Sequence, residues 1–142
     1  MKILGFFIVV FVALQFIPTH KSSPKIDKNI TLHTDEKVMK ILKKSCYACH
    51  SYETKYDTII SKIAPFSFVV DAHVDDGRLA LNFSEYGKIP EERKKARLKR
   101  AIKTLRNTMM PLPSYLAFHE EAKLSAEEKR TLIQWFKKEL NE

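Results

Sequence analysis

Five consecutive residues carry the clearest chemistry in the chain: Cys46, Tyr47, Ala48, Cys49 and His50. Two thiols at this spacing, followed at once by an imidazole, are the pattern of covalent haem c attachment. The reason is geometric. The first helix of the domain presents both sulfurs along one edge of a porphyrin, where they bond to its vinyl groups. The histidine then lies under the iron and binds through Nε2. Its Nδ1 is expected to donate to a backbone carbonyl, which fixes the ring and its basicity. Other chemistries use the same thiol spacing. A redox dithiol wants a βαβ context, and a zinc site wants a second Cys/His pair at finger spacing. The sequence offers neither. One covalent haem c, held by Cys46 and Cys49 with His50 as an iron ligand, is the reading.

A six-coordinate iron needs a second axial ligand. Candidates are Met110, Met109, His73 and His119. Met110 precedes Pro111 in a stiff segment some 60 residues beyond the motif. Such a loop can hold a weak thioether ligand without relying on it for folding. A His/Met pair raises the haem potential, which suits electron transfer. Met110 is therefore the expected distal ligand. Methionines that merely fill gaps in a core are the plain alternative.

The elements that must position these residues read as helices. With three glycines and 30% charged residues, a β-rich chain is unexpected. Thr34 is a candidate cap for a first helix, with Asp35 and Glu36 favouring its positive end. Val38, Ile41, Leu42 and Ser45 share a face at helical spacing, and this helix is expected to run into Cys46. Short helices are expected on each side of Pro65. Asp75, Asp76 and Gly77 read as a turn. Pro90 with Glu91 and Glu92 opens a helix to about Asn107, with Leu98, Ile102 and Leu105 on one face. Met109 to Pro113 reads as an extended loop, because both prolines fix φ. Ser125 and Glu128 form a capping box. Leu132, Ile133, Trp135, Phe136 and Leu140 give the last helix a broad apolar face.

The N-terminus reads as a targeting segment. Lys2 precedes an apolar run from Ile3 to Ile17, interrupted only by Gln15. That length fits a signal-peptide core better than a span of ~20 residues. No small-x-small cleavage site follows, which favours an uncleaved anchor over a cleaved signal. Lys21, Lys25 and Lys28 lie on the exported side, so the positive-inside rule is only weakly obeyed. The expected organisation is residues 1–20 as signal or membrane anchor, 21–33 as linker, and 34–142 as one domain. The expected location is the periplasmic side of a bacterial inner membrane, anchored or released.

Further residues match a known pattern. They are Ser51 and Thr54 after the motif, and Ile63-Ala64-Pro65-Phe66-Ser67. His73-Val74, Gly77-Arg78 and Leu81-Asn82-Phe83-Ser84 follow. Met110-Pro111, Tyr115, His119, Ala122, Leu124-Ser125 and Trp135 complete the series. Over roughly residues 34 to 140 the sequence resembles the haem-binding domain family of bacterial exported c-type cytochromes. Phe68 and Tyr86 stand in regions where that family often carries tryptophan. The resemblance implies an all-α, cytochrome c-like domain behind the N-terminal helix. It also implies that Cys46 and Cys49 tether haem, with His50 proximal and Met110 distal.

His73 and Arg78 are candidates for contacts with haem propionates, Arg78 through its planar fork. Trp135 is expected to pack the last helix against the first of the domain. The net charge of +8 is concentrated between Arg93 and Arg106. It reads as a solvated face or a docking surface for an acidic redox partner or the membrane. Export argues against nucleic acid. No nucleophile–base pair stands out, so the chain reads as an electron carrier and not an enzyme. A haem-based sensor, or a peroxidase-like enzyme with His73 or His119 as distal base, would need an open iron.

Overall fold

The computed structural model describes residues 2–20 and 23–141. Lys21 and Ser22 of the expected linker lie outside the described residues. Among the described residues the secondary structure is entirely helical. The helices are α1 (Lys2–Leu14), α2 (Glu36–Ser45), α3 (Tyr47–His50), α4 (Phe66–Ala80), α5 (Glu91–Arg106), α6 (Pro113–Leu116) and α7 (Ala126–Glu139). Short 3-10 turns occupy Phe83–Lys88 and Glu120–Ala122.

Helices α2, α5 and α7 build the main core. The apolar faces expected of them are the faces they bury. Val38, Ile41 and Leu42 of α2, Leu98, Ile102 and Leu105 of α5, and Leu132, Trp135 and Phe136 of α7 form one cluster. Helix α7 packs on both α5 and α2. The capping box is formed: the Glu128 amide donates to Ser125 Oγ at 3.1 Å, and the Ser125 amide donates to Glu128 Oε2 at 2.8 Å. Lys44 of α2 donates to the other oxygen of Glu128. One carboxylate therefore caps α7 and ties it to α2.

Several boundaries differ from expectation. Asp35, not Thr34, caps α2, because its carboxylate reaches the Val38 amide at 2.9 Å. That helix stops at Ser45, and the chain turns at Cys46 before α3 begins. No helix forms immediately before Pro65. There Ser61 turns back onto Thr58, its Oγ donating to the Thr58 carbonyl at 2.6 Å, and such local bonds compete with helix. Asp75, Asp76 and Gly77 are not a turn: α4 runs straight through them to Ala80. Pro113 does not extend the loop but opens α6, where its missing N–H costs nothing.

The stretch expected as linker is docked at its end. Leu32 is buried, and its amide donates to the Phe83 carbonyl at 2.8 Å. The Gly87 amide donates to Ile30 O at 2.7 Å. Gly87 permits that approach, since a Cβ there would stand 3.2 Å from the Ile30 backbone.

Helix α1 buries none of its residues. At 13 residues it is ~20 Å long, short of the ~30 Å hydrocarbon core of a bilayer. No helix among the described residues is long and apolar enough to cross a membrane. The membrane-spanning anchor expected from the sequence is therefore not found. The α-helix ends at Leu14, and i→i−3 turns carry the rest of the apolar run to Ile17.

Candidate haem site

The motif folds as a bend and a short helix. Cys46 carries the bend between α2 and α3, and Cys49 and His50 sit on α3. The Cys49 and His50 amides both donate back to the Cys46 carbonyl, at 3.2 Å and 2.9 Å. This turn is braced from below by hydroxyls. Ser51 Oγ donates to Tyr47 O at 2.7 Å, and Thr54 Oγ1 donates to Ala48 O at 2.6 Å. The Tyr52 amide donates to the buried Ser84 Oγ at 2.9 Å.

Helix α4 lies against α3, and Gly77 makes that contact possible. A Cβ at Gly77 would stand 2.6 Å from the Cys49 carbonyl oxygen. Only a residue without a side chain lets α4 approach the motif backbone this closely. The glycine read from sequence as a turn residue is thus a packing residue. Arg78, next to it, does not reach outward as a free fork. Its Nε donates to Ser51 O at 2.9 Å and its Nη2 to Thr54 Oγ1 at 3.1 Å. The guanidinium also lies over the Tyr52 ring, 5.2 Å from its centre. Arg78 is a brace for the residues that follow the motif.

His50 is held as the sequence predicts. Its Nδ1 lies 2.9 Å from the Leu81 carbonyl oxygen. A carbonyl only accepts, so Nδ1 carries the proton and Nε2 keeps its lone pair. Burial lowers the pKa of His50, and backbone hydrogen bonds to Leu81 and Gly77 offset only part of this. The imidazole is therefore neutral near pH 7, the form that ligates a metal.

Both cysteines are free and partly exposed. Burial pushes the Cys46 thiol up to about 12, with the neighbouring Cys49 adding to the effect. Burial also raises Cys49, against a smaller opposing pull from Arg78. Both are thiols, not thiolates, at neutral pH. A nucleophilic redox dithiol has the opposite character, a depressed pKa in an electropositive setting. Nor does any group of three or more His, Cys, Asp or Glu side chains converge as a metal site among the described residues.

Cys49 opens onto a cavity of about 270 Å³. One wall is α4, through Phe66, Val69, Val70, His73 and Val74. The facing wall is Leu112, Ser114, Tyr115, Phe118 and His119. Tyr115 and His119 stack, with ring centres 4.3 Å apart, and His119 Nδ1 lies 3.3 Å from Glu121 Oε1. His73 and His119 thus share one cavity. Met110 is half-buried just before this wall, and Met109 is exposed; neither lines the cavity. Trp135 lies in the α2/α5/α7 core, its ring 4.8 Å from Phe136. Val69, Val70, Leu112 and Phe118 went unread in the sequence. The stripe Val70, His73, Val74 at helical spacing was the available signal.

These residues fit a haem. Two neutral thiols stand together on one short turn. A neutral imidazole beside them has its Nδ1 committed and its Nε2 free to ligate. Phe66, Val69 and Phe118 line the cavity yet remain 55%, 53% and 56% exposed, as walls for a flat apolar group open at one edge would.

Comparison with known proteins agrees. A profile of the haem-binding domain matches residues 9–138. Neither a curated protein nor a solved structure gives a significant match. With nearly the whole chain matched, and a cavity that opens at Cys49 of the motif, although His50 does not line it, the chain belongs to the haem-binding domain family.

Proposed function

We propose that this protein is a monohaem c-type cytochrome that carries electrons in a bacterial envelope. Cys46 and Cys49 would hold the haem covalently, His50 would ligate the iron through Nε2, and Met110 would supply the other axial ligand. The bound group supplies one-electron exchange between ferric and ferrous iron. The observation that carries the reading is the His50–Leu81 hydrogen bond beside two neutral, free thiols.

The protein's own residues orient and shield the site. Gly77 and Arg78 fix the motif's backbone, and α4 and the 112–119 segment wall the cavity at its flank. The all-helical arrangement, with the motif directly after α2, supports a cytochrome c-like domain. Helix α5 presents Arg93, Lys95, Arg100, Lys103 and Arg106 to solvent. We read this face as the dock for an acidic redox partner, not nucleic acid, with association that weakens as salt rises. The apolar N-terminal run directs the chain to the periplasmic face of the inner membrane. We read the protein as a carrier and not an enzyme.

A second reading has one observation in its favour: His73 and His119 line the cavity and Met110 does not. It gives the distal position to a histidine, or leaves it open for gas sensing or peroxidase-like chemistry. The visible spectrum of the ferric protein, beside that of Met110→Ala, separates the two. His/Met ligation predicts a low-spin spectrum with a weak red sulfur-to-iron band that the substitution removes. A low-spin spectrum indifferent to the substitution assigns a histidine. A high-spin spectrum assigns an open iron.

A further inference from the structure

The N-terminal run is attached to the domain by polar contacts that a disposable signal has no need of. Gln15 interrupts an otherwise apolar stretch, and its carboxamide grips one residue of the domain from both sides. Its Nε2 donates to the Ala64 carbonyl at 3.1 Å, and the Ala64 amide donates to its Oε1 at 3.1 Å. Ala64 is 3% exposed, so this pairing satisfies a buried peptide. His20 makes a second attachment. Its amide donates to Asp71 Oδ2 at 2.8 Å, and its Nδ1 lies 2.9 Å from Asp71 Oδ1. Its ring stacks on Tyr56, with centres 3.7 Å apart. The backbone of His20 is left-handed, with φ 63°. A non-glycine residue keeps that conformation only where its surroundings impose it. Beyond it, Arg78 Nη2 donates to Ser23 Oγ at 2.8 Å.

These contacts fall on both sides of the start of α4, beside Phe66 at the edge of the cavity. The surface next to them is apolar. Helix α1 buries nothing and carries no charge after Lys2. Phe16 and Ile59 are 83% and 73% exposed, and Ile17 is exposed as well. A 13-residue helix apolar on all sides can enter a lipid leaflet without crossing the bilayer.

We propose that residues 15–20 are a docking strap belonging to the mature fold, which keeps α1 attached and holds the α4 end of the cavity at a lipid surface. The inference shares the export reading of the proposed function and is independent of the haem. Three readouts on the full chain, produced in bacterial cells, test it. Mass spectrometry of the mature protein is expected to recover peptides covering residues 15–20; an N-terminus beyond His20 overturns the strap, whatever the haem content. Purified protein is expected to float with vesicles of phosphatidylethanolamine and phosphatidylglycerol. Failure to float, with dimers formed instead, assigns the apolar face to a second copy and overturns the lipid surface. Gln15→Ala/His20→Ala is expected to speed tryptic cleavage at Lys25 and Lys28 about tenfold, with helicity and haem content unchanged. His20→Ala alone is the milder variant should the double one fold poorly. Cleavage at the parent rate in a folded variant overturns the strap.

Discussion

The two halves of the domain treat their apolar residues in opposite ways. Between α2, α5 and α7, Leu42, Leu98 and Leu132 are each 0% exposed. Around α3, α4 and the 112–119 segment, Phe66, Val69 and Phe118 face one cavity while more than half open to solvent. The first half closes on itself and needs nothing else. The second is polar at its base, where hydroxyls and Arg78 hold the motif, and apolar at its mouth. The contrast separates a scaffold from a binding surface on side-chain burial alone.

The sharpest way to break the comparison is to remove the thiols. Cys46→Ala/Cys49→Ala should abolish covalent haem, read as complete loss of haem stain on a denaturing gel. Far-UV circular dichroism should still report the α2/α5/α7 helices. Haem surviving denaturation would contradict the assignment of both cysteines. Leu132→Ala probes the scaffold half instead. A fully buried leucine replaced by alanine should cost ~2–5 kcal/mol, measured by urea unfolding, and should strike fold and haem content together.

Gly77→Ala tests the seam between the halves. A methyl 2.6 Å from the Cys49 carbonyl oxygen forces α4 off the motif, for ~1–3 kcal/mol of overpacking. Its signature is a haem yield that falls further than stability does. A variant with normal haem yield would show that α4 need not touch the motif. Ser125→Ala is the smallest change, at ~1 kcal/mol for a lost helix cap, with the haem site untouched. Acid probes the same corner. The hydrogen bond from Lys44, with those from Ser125, holds Glu128 below the ordinary glutamate range despite some desolvation. Its folded-state pKa is depressed, so its contribution is fully present above the ordinary glutamate value. It fades as the pH falls through the folded one. Glu128→Gln should therefore flatten the acid limb of the stability curve.

Much of the scaffold was legible in the sequence because its signals are local. Leu98, Ile102 and Leu105 repeat at helical spacing, and Ser125 with Glu128 announces the cap of α7. The second half was harder to read, because its determinants are contacts between distant residues. Gly77 looks like a breaker until α4 is seen to lie against Cys49. Arg78 looks like a free fork until Ser51 and Thr54 are seen to hold it. The start of α2 moved by one residue because Thr34 and Asp35 are both good caps, and only the position of the Val38 amide chooses between them. The motif itself was fully legible, as was the carbonyl partner expected for His50. Which carbonyl it would be, that of Leu81, was not. The cavity walls were obscured for the same reason, since Val69 and Phe118 come together only through the fold.

The central claim is covalent attachment of one haem at Cys46 and Cys49, and the intact mass of the denatured protein tests it most directly. Protein exported from cells able to attach haem c should carry the mass of the chain plus one haem, and the haem should map to the peptide containing both cysteines. A mass equal to the bare chain, or one short by the two hydrogens of a Cys46–Cys49 disulfide, would contradict it.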